Sequence, residues 1–259
     1  MGEPLFVEKR GLLCYNSPMK KWLKITIIIA SVVILSVTAF LLVWFLHVLP
    51  EREKEENRAK IQAYRNEKFQ KFEAENLALG VDGAEVIFLG DSLTDGCDIA
   101  RYYPEFRALN RGIGGDRTYD VLARMKVSVY DANPKVVVLL IGGNNVLAGN
   151  DLKQTAAEYE EILQGIQTNL PDTKVVVLSL TSMGGKCAVK NPEAALLNYK
   201  IKDLAGEYGY AFVDVFTPLF DPEAMAIRAE YTADGAHLTD AGYKVLSAAV
   251  IPAIRAALA

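Results

Sequence analysis

The sequence predicts an α/β protein: a parallel sheet with helices on both faces, preceded by one transmembrane helix. Three observations carry this expectation. From about residue 84 to the end, apolar runs of strand length alternate with longer amphipathic stretches, the pattern of successive βα units. One of those runs, Val136 to Ile141, is apolar without interruption, as suits a strand buried on both faces. Near the amino end, Ile25 to Leu49 contains no charged side chain, and such a stretch crosses a bilayer at roughly 20 residues per span.

The elements follow in order. Residues 1–24 form a short basic tail, with Lys9, Arg10, Lys20, Lys21 and Lys24. The apolar stretch 25–49 has Trp22, Trp44 and Phe45 near its ends, where amphipathic rings favour the membrane interface. A cleaved signal peptide would have an apolar region of about 7–15 residues and a small-residue cleavage site, which His47-Val48-Leu49-Pro50-Glu51 does not offer. The stretch therefore reads as an uncleaved, single-pass membrane anchor. Arg52, Lys54, Arg58 and Lys60 follow it, but the tight lysine cluster before the span favours the amino terminus inside and the large domain outside the cytoplasm.

Residues 50–83 read as a charged helical stalk, rich in Glu, Lys, Arg, Gln and Ala. Ile61, Tyr64, Phe69 and Phe72 give it a partial apolar stripe. Such a stalk either docks loosely on the domain or pairs with a copy of itself, and the second alternative implies an oligomer through the stalk. Gly80 and Gly83 break it, and residues 84–259 form one domain of ordinary size.

Within that domain, Val86 to Gly90 is a short strand that stops at Gly-Asp-Ser. Ala108-Leu109-Asn110 is the second strand, leading into Gly112-Ile113-Gly114-Gly115-Asp116. Apolar spacing at Val121, Leu122, Met125 and Val129 predicts a helix from Thr118 to about Tyr130. Val136 to Ile141, Lys174 to Leu180 and Ala211 to Val215 supply three further strands. Asp151 to Asn169 and Glu193 to Tyr208 are the helices between them, and Thr239 caps a last, alanine-rich helix.

Composition excludes several functions. The chain has 259 residues and a net charge of −4, and it lacks a basic stripe, which argues against nucleic acid as a partner. The spacing of Cys14, Cys97 and Cys187 matches no metal site, and no phosphate-binding glycine loop is present, so neither metal nor cofactor is expected. Cys14 lies across the span from the other two. Whether Cys97 and Cys187 pair cannot be read from sequence, and two free thiols are the default.

In a parallel sheet the loops after the first three strands open on one edge, where ligands bind. Gly90-Asp91-Ser92, Gly114-Gly115-Asp116 and Gly142-Gly143-Asn144 therefore converge there. On its own, Gly-Asp-Ser-Leu is four common residues that fit a bland strand-to-loop turn equally well. A serine hydroxyl, moreover, is a poor nucleophile until a base takes its proton. The chain has two histidines, and His47 lies in the span, so an imidazole base must be His237. Asp234, three residues earlier, is close enough to fix the tautomer of that ring. Attack on a carbonyl develops charge on oxygen that needs prearranged donors. The Ser92 amide, an N–H of the Gly114-Gly115 turn and the Asn144 side chain can supply three.

Gly90-Asp91-Ser92-Leu93, Gly115, Asn144 and the Asp234-x-x-His237 pair together resemble the four signature blocks of the SGNH (GDSL) hydrolases, in the family's order. The resemblance implies a three-layer α/β/α domain with a five-stranded parallel sheet (flavodoxin-like) in the order 2-1-3-4-5. It implies Ser92, Asp234 and His237 as the catalytic residues, and Ser92, Gly115 and Asn144 as the oxyanion hole. Asn145 departs from the commoner Gly-x-Asn-Asp form. Gly-Ile-Gly-Gly-Asp and His-Leu-Thr bring the chain closest to the branch of the platelet-activating-factor acetylhydrolase catalytic subunits.

The function expected is a membrane-anchored serine esterase acting outside the cytoplasm on short acyl esters. Polar residues near the catalytic turns, Arg111 and Arg117 among them, suggest a small acyl pocket with a polar entrance. The loops Thr181 to Pro192 and Thr217 to Ala233 hold no continuous apolar run that would make a lid. Acetyl groups on a cell-envelope carbohydrate or another polar alcohol suit such a site. The rivals are a lysophospholipase or thioesterase acting on lipid, an acyltransferase on the same triad, and a non-catalytic scaffold. Asp214 is the carboxylate that would replace Asp234 if the latter were dispensable.

Overall fold

The computed structural model describes residues 21–80 and 83–259. The expectations that rest on Lys9, Arg10, Cys14 and Lys20 lie outside the described residues. The chain divides into two units, Met1–Gln62 and Ala63–Ala259. The second takes in residues that the sequence assigned to the stalk.

In the first unit, α1 (Lys21–Val43) is an unbroken apolar helix with no buried residue, long and apolar enough to cross a membrane. Its hydroxyls are satisfied within the helix: Thr26, Ser31, Ser36 and Thr38 each donate to the carbonyl four residues back. Trp44–Val48 widens into a π turn in which the Leu49 amide reaches the Trp44 carbonyl. Pro50 accounts for the widening, because its ring would clash with the carbonyl four residues earlier in a regular helix. A second helix, α2 (Leu49–Ala78), continues the chain into the next unit.

The second unit is built on five parallel strands: β1 (Val86–Gly90), β2 (Ala108–Gly112), β3 (Val136–Leu140), β4 (Lys174–Leu178) and β5 (Ala211–Val213). They lie in the order β2-β1-β3-β4-β5, with Val86 beside Ala108 on one side and Val136 on the other. This is the three-layer order expected. Because side chains alternate along a strand, Ile87, Leu89, Val137, Leu139, Val175 and Val177 fill one core. Val86, Phe88, Val136, Val138, Leu140, Val176 and Leu178 fill the other.

Short helices follow β1 and β2: α3 (Ser92–Asp95), α4 (Ile99–Tyr102), α5 (Thr118–Ala123) and α6 (Met125–Ser128). The single helix expected from Thr118 to Tyr130 is thus two pieces. It breaks at Arg124, which leaves helical geometry at φ −120, ψ 10, because its side chain is drawn inward to buried acceptors. The remaining layers come from α7 (Gly143–Leu147), α8 (Leu152–Asn169), α9 (Asn191–Glu207) and α10 (Asp240–Leu258). Thr239 caps α10 as expected, its Oγ1 accepting from the Gly242 amide. That helix is apolar enough to pass for a span, yet Tyr243, Leu246, Val250 and Ile254 bury its face against the sheet. A small antiparallel pair, β6 (Phe220–Asp221) with β7 (Ala226–Ile227), was not visible in the sequence: two residues per strand leave no periodicity to detect.

Two glycines set how closely the sheet edge packs. A Cβ on Gly90 would stand 2.3 Å from the Leu140 carbonyl oxygen, and one on Gly112 would stand 2.1 Å from the Asp95 nitrogen. Both positions need glycine so that β1, β2 and α3 can approach.

Candidate active site

Ser92 is the first residue of α3, immediately past the carboxyl end of β1. Its amide is thus one of the first-turn N–H groups that have no partner within the helix. Asp91 caps that helix by accepting from the Leu93 amide at 3.0 Å. Burial pushes the Asp91 carboxyl up to about 6, against the lowering effect of that same hydrogen bond.

His237 stands in the loop before α10, with its Nε2 3.1 Å from Ser92 Oγ and its Nδ1 2.7 Å from Asp234 Oδ2. Asp234 is held from below as well: its Oδ1 accepts from the amides of Ala236 and His237 at 2.9 and 2.8 Å. The His237 ring, followed by these two amides, holds the Asp234 carboxyl well below the usual carboxylate range. The loop itself is pinned by Gly235, at φ +90 with a Cβ position 2.3 Å from the Gly184 carbonyl, and by the bond from the Gly184 amide to its carbonyl at 2.7 Å. A charged Asp234 keeps the proton of a neutral imidazole on Nδ1 and leaves Nε2 free to accept from the serine.

The three glycine-rich turns do converge. A Cβ on Gly114 would lie 3.9 Å from the Ser92 Cβ. Gly115 adopts a left-handed φ of +83, and among the described residues no protein acceptor occupies its amide. Asn144, the second residue of α7, donates through Nδ2 to the Asp116 carbonyl at 2.9 Å, which orients its amide and leaves the second N–H available. Asp214 does not take part: it caps the turn after β5, accepting from the amides of Phe216 and Thr217 and from the Thr217 hydroxyl.

A cavity of about 90 Å³ opens beside Ser92, His237 and Asn144, walled by Leu93, Leu140, Leu147, Leu180 and Met183. The expectation of a polar entrance fails for Arg111. That side chain is fully buried, its guanidinium 4.6 Å from the centre of the Phe72 ring and paired with Glu75 and Asn76. Arg117 does not line the cavity either; it lies over the Tyr119 ring at 5.9 Å. Arg65 does reach the turn, its Nη1 2.5 Å from Asp116.

The buried support beneath the turns has no signal in the sequence. Arg124 donates to Asp116 at 2.6 Å and to the carbonyls of Gly90 and Arg111, each at 2.9 Å. Asn145 has a structural reason to be an amide rather than a carboxylate: it accepts from the Thr118 amide and donates to the Thr118 hydroxyl. Cys97 and Cys187 are free thiols; burial pushes the Cys97 thiol up to about 12. Among the described residues, no cluster of His, Cys, Asp and Glu could hold a metal ion.

Comparison with known proteins gives this arrangement its class. Residues 88–245, more than half of the chain, match the model of the GDSL-like Lipase/Acylhydrolase family. The platelet-activating factor acetylhydrolase IB subunit alpha2 of Rattus norvegicus is 32% identical over 168 residues, which cover 61% of this chain and 71% of that protein. A GDSL-like lipase from Bacteroides thetaiotaomicron superposes with a TM-score of 0.64 at 25% identity, over 73% of this chain and 98% of that one. An acetylxylan esterase from Geobacillus stearothermophilus gives 0.56 at 21% identity, over 66% and 94%; at that identity the likeness concerns the fold alone. The chain belongs to the GDSL-like lipase/acylhydrolase family and is a carboxylic ester hydrolase.

Proposed function

We propose that the protein is a membrane-anchored serine esterase that removes short, acetyl-like acyl groups from a carbohydrate or another polar alcohol. The observation that carries this reading is the hydrogen-bonded line from Asp234 through His237 to Ser92. In this mechanism Ser92 Oγ attacks the ester carbonyl while His237 Nε2 takes its proton. Asp234 stabilises the imidazolium, and the amides of Ser92 and Gly115 with the Asn144 side chain receive the oxyanion. His237 then protonates the departing alcohol, and water repeats the sequence on the acyl-enzyme to release the acid.

The size of the site supports a short acyl group. Its cavity of about 90 Å³ is walled in part by Leu93, Leu140, Leu147, Leu180 and Met183, and sites for drug-sized ligands occupy roughly 300–1,000 Å³. An acetyl or propionyl group fits such a space, whereas a long chain would have to run out over the surface. The second reading is an acetyl ester of a lipid alcohol, favoured by the name of the curated relatives.

Helix α1 supports the anchor, since a hydroxyl in hydrocarbon must find its acceptor inside the helix, as each of its four does. On this reading the protein sits in the cell membrane by a single pass, its hydrolase domain outside the cytoplasm. Acetyl, butyryl, octanoyl and palmitoyl esters of one alcohol, compared by kcat/KM, test the acyl assignment. The acetyl ester should be preferred, and a preference for octanoyl or longer would overturn the short-acyl reading.

A further inference from the structure

The carboxyl-terminal half of α2 reaches the turns that carry the chemistry. The Tyr64 hydroxyl accepts from the Gly114 amide at 3.0 Å and donates to the carboxylate of Asp95. Asp95 closes α3, the helix that begins with Ser92, so one hydroxyl ties the Gly114–Gly115 turn to the nucleophile's own helix. Lys68, one helical turn along on the same face, pairs with the same carboxylate. Arg65 secures the far end of the turn through Asp116 at 2.5 Å and Asp120 at 3.4 Å, and the Asp116 carbonyl in turn orients Asn144. Deeper along the helix, Phe72 is 1% exposed, and Glu75 and Asn76 hold the buried Arg111 guanidinium.

The direction of the Tyr64 bonds is fixed by the partners. An amide can only donate, so the phenol oxygen accepts from Gly114, and its own proton goes to Asp95. Burial first, then the bond to Asp95, pushes the phenol up to about 12, so it keeps that proton throughout the working range of pH. Gly115, at φ +83, has no side chain of its own to hold its peptide. The turn takes its position from its neighbours, and Tyr64 holds the preceding peptide.

We infer that α2 is a working part of the active site, with Tyr64 a positioning residue that holds the Gly114–Gly115 turn at the distance from Ser92 where it receives the oxyanion. This rests on the triad and oxyanion assignment proposed above. It also means that the catalytic unit starts inside the segment the sequence reads as a stalk, so the helix that emerges from the anchor completes the site.

The test is Tyr64→Phe in the full-length protein, purified in a mild detergent and checked for an unchanged thermal midpoint. Three quantities are read: kcat, KM for an acetyl ester, and the inhibition constant of an alkyl boronic acid, which forms a tetrahedral adduct with an active serine. The expected result is a fall in kcat of about ten-fold, smaller than the ~100–1,000-fold of losing an oxyanion donor outright. KM should stay within about two-fold of wild type, and boronate inhibition should weaken by the same factor as kcat. An unchanged kcat, or a lower kcat with unchanged boronate inhibition, would overturn the inference while leaving the triad intact. If Ser92→Ala remained active, or the boronate did not inhibit wild type, the triad reading itself would fall and this inference with it. Should Tyr64→Phe prove unstable, folded Tyr64→His and Tyr64→Leu are compared instead: a ring nitrogen able to accept from Gly114 should give His the tighter boronate inhibition, and equal inhibition in the two overturns the inference.

Discussion

Arg124→Met tests the reasoning about the buried polar layer under the site. Arg124 is 2% exposed and makes four bonds: to Asp116 at 2.6 Å, to the carbonyls of Gly90 and Arg111 at 2.9 Å each, and to the Ser128 hydroxyl at 2.8 Å. Methionine keeps the packing volume of the stem and removes all four bonds. Asp116, itself fully buried, then keeps Arg65 as its cation, and the carbonyls of Gly90 and Arg111 each lose a hydrogen bond. Breaking a buried ion pair by removing one member costs roughly 3–5 kcal/mol, because the remaining charge stays desolvated. At roughly 2–4 °C per kcal/mol for a domain of this size, the thermal midpoint should fall by about 6–20 °C. Near-ultraviolet circular dichroism of the detergent-solubilised protein reads it. Arg124→Lys restores the charge, but a single ammonium cannot reach acceptors on β1, β2 and Asp116 together, so it should recover only part of the loss. If Arg124→Met melted within about 2 °C of wild type, or Lys recovered everything, the guanidinium would not be bridging these elements.

Further outcomes follow from the same geometry. His237→Ala should lower kcat by about a million-fold and Asp234→Asn by about 10,000-fold, while Asp214→Asn should leave it unchanged; steady-state kinetics on an acetyl ester separates them, and a dead Asp214→Asn with an active Asp234→Asn would reverse the assignment. The Asp91 carboxyl, raised to about 6 by burial, holds a proton in the folded chain that the unfolded chain has lost above its ordinary ~3.9. Stability from this group therefore falls as pH rises from about 4 to about 6 and stays lower above that. Asp91→Asn keeps an oxygen for the Leu93 amide and should raise the thermal midpoint at pH 8 but not at pH 4; equal effects at both would count against a buried charge. Removing residues 1–50 should release a soluble, active enzyme, whereas cutting at residue 84 should lose activity with α2. Protease added to intact cells should digest the domain, and full protection of the domain would reverse the proposed topology.

Much of the fold was legible because β1, β3 and β4 are short, continuous apolar runs that each end at glycine or a polar turn. The nearness of His237 to Asp234 was legible for a different reason, since one histidine lies beyond the apolar amino-terminal stretch and a carboxylate stands three residues before it. Ser92 was marked by the strand end at Gly-Asp-Ser, and the structure places the three in one hydrogen-bonded line. What stayed hidden depends on distance in sequence. The docking of α2 was expected only as a loose alternative to pairing with a second copy, because its apolar stripe is weak: Phe72 is buried but Ile61 is 58% exposed. The attachment comes instead from Tyr64, Arg65, Lys68 and Glu75, whose partners lie 27 to 55 residues further on. Charged residues on a helix read as a solvated face until those partners are known. Arg111 was misplaced for the same reason, since its strand position does not reveal that α2 covers it. The break at Arg124 was invisible because apolar spacing continues through it while its polar side chain turns inward.

The central claim is that Ser92 is the nucleophile, and mapping a fluorophosphonate adduct tests it most directly. The full-length protein is treated with the probe, digested, and the modified peptide identified by mass. The account predicts a single adduct on Ser92, loss of esterase activity in step with labelling, and neither labelling nor activity in a folded Ser92→Ala variant. Labelling of another residue with activity lost, or persistent turnover by Ser92→Ala, would contradict it.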